Sequence, residues 1–211
     1  MAFNNCNAET NGERLFWETN KQNFKVVFDV GCRKDSLFFN WKGDVHYFDP
    51  VKEFIDELSK NVSNKASYLN NFGLSDKNEI IPYYPAYQSF FNRTVSCGKD
   101  DSNNKKDLEV KKAIDYITER QIDSIDFLKI DTEGHELHVL KGFEDKLSIV
   151  KAIQFEYGGT FLDTKIKLLD VISYLENFGF SGFSYLTNRG LLKMLDYNDH
   201  YAYCNIVCFK Q

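Results

Sequence analysis

The sequence predicts an α/β fold with one doubly wound sheet, mostly parallel, that ends in an antiparallel C-terminal hairpin. Short apolar runs rich in β-branched and aromatic residues alternate with segments of helical periodicity, a pattern typical of parallel strands joined by helices. Three of these runs end in an aspartate, at Asp29, Asp49 and Asp131. With 211 residues, 43% of them hydrophobic, the chain can bury a substantial core but is short for two ordinary domains. We therefore expect a single domain over residues 1–211.

The first half of the chain predicts two strand–helix units followed by a third strand. Residues 1–23 mix polar side chains with a few apolar ones, which predicts an N-terminal segment that covers the sheet. A turn and a short helix are expected after the first strand. Pro50 suits the first turn of the next helix, which is expected to end near residue 60. The predicted strands cover residues 24–30, 45–49 and 66–71.

Residues 80–110 do not follow this alternation. The segment begins with prolines and aromatic side chains and continues as a stretch rich in serine, asparagine, lysine and aspartate. It is too long and too aromatic for a plain connection between two elements. We interpret it as an inserted substrate loop or lid.

The second half returns to alternating strands and helices. Helices are expected at residues 114–120, after Gly134 and at residues 168–178, and strands at residues 125–131, 149–157, 180–186 and 202–210. The last two strands are expected to form an antiparallel hairpin at the edge of the sheet. Because ligands of such a sheet bind beyond the carboxyl ends of its strands, the three strand-end aspartates are expected to share one site.

Composition argues against several classes of protein. A net charge of −5 does not suit a broad electrostatic surface for nucleic acid. The one basic cluster is interleaved with aspartate and glutamate, which is typical of a solvated loop; it consists of Lys105, Lys106, Lys111 and Lys112. No apolar run is long enough to span a bilayer, and residues 1–5 show no start of a secretory signal. The expected location is cytoplasmic.

The cysteines indicate thiols rather than disulfides. Their odd number and the absence of Cys-x-x-Cys spacing argue against a disulfide framework and against a zinc site. The five are Cys6, Cys32, Cys97, Cys204 and Cys208. Cys32 differs from the others because it lies in the turn after the first strand.

Two strand ends, separated by about twenty residues, form the best-defined motif of the chain. The runs VVFDVG at residues 26–31 and VHYFD at residues 45–49 each reach an acid, and the second acid suits the hydroxyls of a ribose. A dinucleotide needs G-x-G-x-x-G, whereas residues 31–36 read GCRKDS, with one glycine. S-Adenosylmethionine has no pyrophosphate, so the pattern favours it over NAD. The alternative is that Asp29 and Asp49 only end strands and cap helices.

Five motifs recur in a characteristic order: VFDVG at residues 27–31, YFDP at 47–50, NFGLSD at 71–76, IDFLKIDTEGHE at 125–136 and QFEY at 154–157. With these motifs the chain resembles the FkbM-type methyltransferases, S-adenosylmethionine-dependent O-methyltransferases with a Rossmann-like, class I methyltransferase fold. The resemblance implies methylation of a hydroxyl on a sugar, glycan or glycosylated metabolite. The expected cofactor-binding residues are Asp29, Gly31, Cys32, Arg33, Ser36, Asp49, Pro50, Phe72, Gly73, Leu74 and Asp131.

The chain departs from this family at the first turn. The family usually has Ala-Asn and a further glycine after Gly31, and a glutamate where Asp49 stands. The substitution at Asp49 keeps the carboxylate. The bulkier turn is expected either to weaken cofactor binding or to bring Arg33 towards the methionine carboxylate. An RNA ribose or cap O-methyltransferase and a non-catalytic binding module are the alternative interpretations.

The expected chemistry centres on the strand that ends at Asp131. Methyl transfer is an in-line displacement, so the enzyme aligns the acceptor oxygen with the methyl group and removes the proton of a weakly acidic hydroxyl. Asp131 or His135 is the expected base, while Glu133 and Glu156 orient the acceptor or bind a divalent cation. If Mg²⁺ is required, its candidate ligands are Asp131, Glu133 and Glu156. The structural alternatives are helix capping by Asp131 and a surface or capping role for His135.

The expected partner is a small-molecule or glycan acceptor. Aromatic side chains at residues 83–91, together with paired carboxylates, suit the faces and hydroxyls of sugar rings. The alternative is that these aromatic side chains cover the core. The sequence carries no signature of an oligomeric state.

Overall fold

The computed structural model describes residues 5–64 and 66–211. Its strands are β1 (Val26–Val30), β2 (Asp44–Phe48), β3 (Ser67–Asn70), β4 (Gly73–Ser75), β5 (Glu79–Tyr83), β6 (Lys106–Lys112), β7 (Ile125–Ile130), β8 (Val150–Tyr157), β9 (Phe180–Thr187), β10 (Gly190–Lys193) and β11 (Cys204–Lys210). Its α-helices are α1 (Glu13–Asn20), α2 (Lys52–Asn61), α3 (Ala113–Glu119), α4 (Glu136–Gly142), α5 (Thr160–Thr164) and α6 (Leu168–Glu176).

Eight of these strands form the central sheet, in the order β10-β9-β11-β8-β7-β1-β2-β3. Strands β3, β2, β1, β7 and β8 are parallel. Strand β11 runs antiparallel to both β8 and β9, and β10 runs antiparallel to β9. The predicted fold, a mostly parallel doubly wound sheet with antiparallel C-terminal strands, is confirmed.

The position of the C-terminal strands differs from the prediction. Strands β9 and β11 pair antiparallel, but β11 lies inside the sheet between β8 and β9 instead of at the edge. The strand at this edge is β10, and its side chains are mostly exposed. An exposed strand does not need the apolar pattern by which buried strands are predicted. Strand β11 is buried from Cys204 to Cys208, and all of these residues except Asn205 are apolar, as expected for an interior strand.

Apolar side chains cover both faces of the sheet. On one face, α3, α4 and α6 contribute Tyr116, Ile117, Leu140, Val171, Ile172 and Leu175 to the core. On the other face, α1 and α2 contribute Phe16, Trp17, Ile55 and Leu58. In α1, the ring centroids of Phe16 and Phe127 lie 5.5 Å apart, so part of the predicted N-terminal segment does cover the sheet. Residues 1–4 of that segment lie outside the described residues.

The short helix expected after the first strand is not formed. Residues 37–40 adopt turns, although Phe38 is buried as the apolar pattern required. The hydroxyl of Ser36 accepts a hydrogen bond from the backbone N–H of Phe38 and donates one to Asp29. These bonds fix the start of the turn and attach it to β1.

Residues 80–110 begin and end in strands of a second sheet. Strands β4, β6 and β5 form this three-stranded sheet, in which β6 pairs parallel with β4 and antiparallel with β5. Between β5 and β6, a loop over residues 84–105 reaches the carboxyl edge of the central sheet, where Ser89 donates to the carbonyl of Glu133. The segment expected to be a loop is therefore a strand–loop–strand unit.

The strand ends β1, β2 and β7 meet at one edge of the central sheet. Val30 lies beside both Phe48 and Ile130 in the parallel register, so the residues that follow, Gly31, Asp49 and Asp131, are neighbours. At Gly31, φ is +78°, and a Cβ atom there would lie 1.9 Å from the carbonyl oxygen of Asp131. Only glycine fits this contact, because a side chain would overlap the backbone of β7.

Among the described residues, no helix combines the length and apolar character needed to cross a membrane.

We expect Gly142→Ala to destabilise the fold. A Cβ atom at Gly142 would lie 1.9 Å from the carbonyl oxygen of Ser75, so α4 would be pushed away from β4. Overpacking of this kind costs about 1–3 kcal/mol in the free energy of unfolding. Gly159→Ala is the matched control, because Gly159 has a helical φ of −59° and its Cβ would find its nearest atom at 3.7 Å. Urea unfolding of both variants measures the difference, and equal stabilities would contradict this close contact.

Candidate active site

Two adjoining cavities open at the carboxyl edge of the central sheet. Their empty volumes, which include space open to solvent, are about 520 and 680 Å³. Four residues line both cavities: Gly31, Arg33, Asp131 and Glu133. The two cavities therefore meet at the turns that follow β1 and β7.

The first cavity has mostly apolar walls, and Asp49 is its one carboxylate besides the shared Asp131 and Glu133. Its apolar side chains include Pro50, Phe54, Leu74, Tyr83 and Phe90. Asp49 lines the same cavity, is 4% exposed, and accepts backbone hydrogen bonds from Val51 at 2.9 Å and from Arg33 at 3.0 Å. Burial raises the pKa of Asp49 to about 6, although these two bonds lower it. Each carboxylate oxygen can accept a further hydrogen bond, so Asp49 can organise the turn and contact a ligand at the same time.

The turn after β1 is fixed by both strand-end acids. Ser36 donates to Asp29 at 2.6 Å, and the backbone N–H of Arg33 donates to Asp49. Arg33 has a φ of 49°, uncommon for a residue other than glycine. Burial raises the pKa of Asp29 to about 6. The bulky turn is thus held in one conformation, with the Arg33 side chain lining both cavities.

The second cavity is strongly acidic. One carboxylate oxygen each from Asp131, Glu133 and Glu156 lies within 4.8 Å of the others. Burial raises the pKa of Glu133 to about 7, with a further contribution from Asp131. Burial, together with the charges of Asp131 and Glu133, raises the pKa of Glu156 well above its usual value. The Oε2 atom of Glu156 is buried and has no hydrogen-bond partner among the described residues.

Lys129 compensates part of this charge, and our sequence analysis did not identify it as a site residue. Its Nζ atom lies 3.0 Å from Asp131 and 3.9 Å from Glu13. Burial lowers the pKa of Lys129, but Asp131, Glu13 and Asp29 together outweigh burial, so the pKa is raised and the group stays charged. The available signal was a lysine inside a strand whose six residues are all buried, a position that lysine seldom takes unless paired.

The N-terminal segment contributes a second residue that sequence analysis missed. Glu13 of α1 accepts hydrogen bonds from Gln154 at 2.7 Å and from Asn11 at 2.9 Å, and it lines the second cavity together with Cys6 and Tyr203. No local pattern predicts this position, because Glu13 meets Gln154 across 141 positions of the chain.

The turn after β7 is shaped by Glu136. One oxygen of its carboxylate accepts bonds from the backbone N–H groups of Thr132 and Gly134 and from the hydroxyl of Thr132. Glu133 within this turn has a φ of 52°, and its side chain pairs with Arg93 at 3.3 Å. The loop over residues 84–105 therefore contacts the turn through an ion pair as well as through Ser89.

The structure brings most predicted site residues to the cavities, but not His135 and Phe72. The ring of His135 bonds the Ser75 hydroxyl at 2.9 Å and stacks on His138, with centroids 4.6 Å apart. Burial lowers the pKa of His135 to about 3. Phe72 packs against the ring of Tyr116. Neither residue lines a cavity, so the positions of these side chains do not support a base at His135 or a cofactor contact at Phe72.

The other predicted site residues surround the two cavities. Those at the first cavity are Gly31, Arg33, Asp49, Pro50, Gly73, Leu74, Asp131 and Glu133. Those at the second are Asp29, Gly31, Cys32, Arg33, Ser36, Asp131, Glu133 and Glu156. The strand-end acids thus share one site, as the parallel sheet predicted.

Comparison with solved structures finds the same fold in bacterial methyltransferases. An rRNA methylase from Streptococcus thermophilus has a TM-score of 0.53 at 10% identity, with 94% of this chain and 96% of that chain covered. A candidate methyltransferase from Streptococcus mutans, solved in complex with SAH, has a TM-score of 0.52 at 11% identity, with 95% and 98% covered. A TehB-like SAM-dependent methyltransferase from Corynebacterium glutamicum has a TM-score of 0.50 at 11% identity, with 95% and 88% covered.

Sequence comparison identifies a family for this chain but no individual curated relative. No curated protein matches the chain significantly. The profile of the methyltransferase FkbM domain matches residues 29–181. This match runs from Asp29 in β1 to the start of β9 and includes Asp49, Asp131 and Glu156. Because it covers well over half of the chain, the protein belongs to the methyltransferase FkbM domain family.

Proposed function

We propose that this S-adenosylmethionine-dependent methyltransferase transfers the methyl group to a hydroxyl of a sugar, a glycan or a glycosylated metabolite. The observation that carries the proposal is the junction of an apolar cavity with an acidic one at Asp131. In this arrangement, the nucleoside of the cofactor occupies the first cavity and the acceptor occupies the second. The sulfonium, which carries the methyl group, lies between them.

The first cavity has the features that an adenosine requires. Pro50 and Leu74 offer apolar surfaces for the faces of the base, and Asp49 can accept hydrogen bonds from the ribose hydroxyls. The single-glycine turn at Gly31 suits a ligand without phosphates, and Arg33 is the cation available for the methionine carboxylate. The acidic second cavity favours the positive sulfonium electrostatically.

Asp131 is the base that this geometry favours. Its Oδ2 accepts a hydrogen bond from Lys129 at 3.0 Å, while its Oδ1 has no hydrogen-bond partner among the described residues. The acceptor oxygen forms a bond to the methyl carbon as the carbon–sulfur bond breaks, and the electron pair of that bond goes to sulfur. The hydroxyl proton goes to Asp131. Lys129 positions the carboxylate for this transfer.

The acceptor contacts differ from those expected from sequence. Tyr83 and Phe90 line the first cavity, where they face the nucleoside in our proposal. The aromatic side chain of the second cavity is Tyr203, which can contact the face of a sugar ring. Glu133 and Glu156 can accept hydrogen bonds from sugar hydroxyls. We therefore propose that the loop over residues 84–105 closes the cofactor side of the site.

The surface lysines argue against an RNA acceptor. Lys112 pairs with Glu144 at 2.7 Å, Lys111 with Glu109 at 3.4 Å and Lys106 with Glu53 at 3.8 Å. Within the described residues, most of the one basic cluster is therefore neutralised by nearby carboxylates. Binding that depends on phosphate contacts needs free cationic groups instead.

A divalent cation at Asp131, Glu133 and Glu156 is a second proposal for this site. It is supported by the unpartnered Oε2 of the buried Glu156 and by the close approach of three carboxylates. Hard cations such as Mg²⁺ take oxygen ligands of this kind. When bound there, Mg²⁺ would supply charge neutralisation and orientation of the acceptor hydroxyl.

We expect S-adenosylmethionine and S-adenosylhomocysteine, but not NAD⁺, to stabilise the protein against heating. A ligand at about one hundred times its Kd adds about 2.7 kcal/mol to the free energy of unfolding, which thermal-shift titration detects. Asp49→Ala should weaken both adenosyl ligands by removing the ribose contact. Asp56→Ala, an exposed acid of α2, is the control and should leave both shifts intact. A shift with NAD⁺ alone would contradict the proposed cofactor.

We expect Asp131→Asn to lower kcat by about 10²- to 10⁴-fold, because the amide cannot accept the hydroxyl proton. The isosteric change should leave the Kd of S-adenosylhomocysteine nearly unchanged. The assay transfers a labelled methyl group to a panel of sugars and locates it by NMR. Asp145→Asn, an exposed acid outside both cavities, is the control. Labelling of RNA but of no sugar would overturn the proposed acceptor, and unchanged turnover in Asp131→Asn would exclude Asp131 as the base.

We expect the ligand-free protein to lose stability as the pH rises from about 6.5 to 8. In this window the raised pKa values of Glu133 and Glu156 mean that the folded protein holds protons that the unfolded chain has released, so deprotonation costs stability. His46 and His135 have lowered pKa values, so they oppose this loss near pH 6.5, where the unfolded chain still holds part of their protons, and they no longer contribute near pH 8. Glu156→Gln should reduce the loss, whereas the exposed control Glu119→Gln should not. Melting temperatures at several pH values give the measurement.

The Glu156→Gln variant also tests whether a divalent cation binds at this site. At pH 8, Mg²⁺ should raise the melting temperature of the wild-type protein and leave that of Glu156→Gln unchanged. Turnover that is insensitive to EDTA, together with no Mg²⁺-induced shift, would exclude the cation without affecting the proposed role of Asp131.

A further inference from the structure

Gln88 occupies an unusual backbone position at the first cavity. It lies in a tight turn closed by a hydrogen bond from the N–H of Tyr84 to the carbonyl of Ser89 at 2.8 Å. Its φ is 51°, a left-handed conformation that is uncommon for residues other than glycine, asparagine and aspartate. The turn therefore holds Gln88 in a conformation that glutamine does not prefer.

The turn is anchored to the active site through Ser89. Ser89 is 1% exposed, and its hydroxyl donates to the carbonyl of Glu133 at 2.7 Å and accepts from the N–H of Phe91 at 3.0 Å. Phe90 follows directly and lines the first cavity with Gln88. The position of Gln88 is thus tied to the same turn that carries the acids of the site.

The side-chain amide of Gln88 is not fully hydrogen-bonded. Its Oε1 atom is buried and has no hydrogen-bond partner among the described residues. Buried polar atoms of this kind are rare and costly in folded proteins. The cavity that Gln88 lines is mainly apolar, with surfaces from Pro50, Leu74 and Phe90, and a ligand bound there can supply the missing partner for the amide.

We propose that Gln88 recognises the adenine base of the cofactor through its side-chain amide. The amide oxygen accepts a hydrogen bond from the 6-amino group, and the amide NH₂ donates to an adjacent ring nitrogen. Glutamine pairs with adenine in this bidentate way because adenine presents a donor beside an acceptor. This inference rests on the proposed cofactor and adds a determinant of base specificity from the inserted loop.

Gln121 shows that a left-handed glutamine alone does not indicate a ligand. Its φ is 54°, but it is exposed at the end of α3, where its N–H bonds the carbonyl of Thr118. It lines neither cavity of the site. Gln121 is therefore a matched control, with the same residue type and backbone region but no contact with the site.

The test is isothermal titration of the wild-type protein, Gln88→Met and Gln121→Met with two ligands. These are S-adenosylhomocysteine and its analogue with hydrogen in place of the 6-amino group. Wild type and Gln121→Met should bind the analogue about tenfold more weakly, as expected for one lost hydrogen bond to a buried acceptor. Gln88→Met, which keeps the side-chain length without the amide, should bind both ligands nearly equally.

Any other result would contradict either the role of Gln88 or the proposed cofactor. If wild type binds both ligands equally, or if Gln88→Met still prefers the 6-amino compound, Gln88 does not recognise the base although the cofactor is correct. If wild type binds neither ligand, the proposed cofactor fails together with the role of Gln88. The wild-type comparison needs no variant, so it remains decisive if Gln88→Met does not fold.

Discussion

The buried ammonium group of Lys129 is the interaction on which the rest of the active site depends. It lies 3.0 Å from Asp131 and 3.9 Å from Glu13, and Asp29 also acts on its charge. Buried carboxylates without a counter-charge are costly, so a single lysine in β7 makes it possible to gather acids from β1, β7 and α1. The Oε2 atom of Glu156 stays without a hydrogen-bond partner among the described residues, and the raised pKa of Glu156 means that it holds a proton in the ligand-free protein. A bound sulfonium or cation would favour its charged form.

The sheet geometry turns this charge cluster into a site with two parts. Gly31 allows the turn after β1 to contact the backbone of Asp131 directly, which brings the ends of β1 and β7 together. The residues proposed to bind the nucleoside, Asp49 and Pro50, lie on the β2 side of this contact, and the acidic cluster lies on the β8 side, at Glu156. Ligand binding at the carboxyl edge, where the strand order changes direction, is general for such sheets.

The loop over residues 84–105 lies beside the first cavity. From the sequence, this segment is instead interpreted as a loop that contacts the substrate. Its attachments, Ser89 to the Glu133 carbonyl and Arg93 to the Glu133 carboxylate, both reach the turn after β7. Its residues Gln88 and Phe90, together with Tyr83 at the end of β5, line the first cavity. Movement of the loop would therefore alter the first cavity and, through Glu133, the charge cluster as well.

Local patterns in the sequence are enough to predict the parallel sheet and the shared position of Asp29, Asp49 and Asp131, because strand periodicity and strand-end residues are properties of short segments. Local patterns are not enough to predict which side chains line the site. His135 follows Asp131 closely in sequence, yet it bonds Ser75 on the other side of the turn, because Glu133 and Gly134 reverse the chain with positive φ. Lys129 pairs with Asp131, two positions away, and also meets Glu13, from a helix more than a hundred positions away. Gln88 and β11 likewise take their positions from long-range pairing. Such long-range contacts depend on packing in three dimensions, so the residues nearby in sequence do not identify the partners.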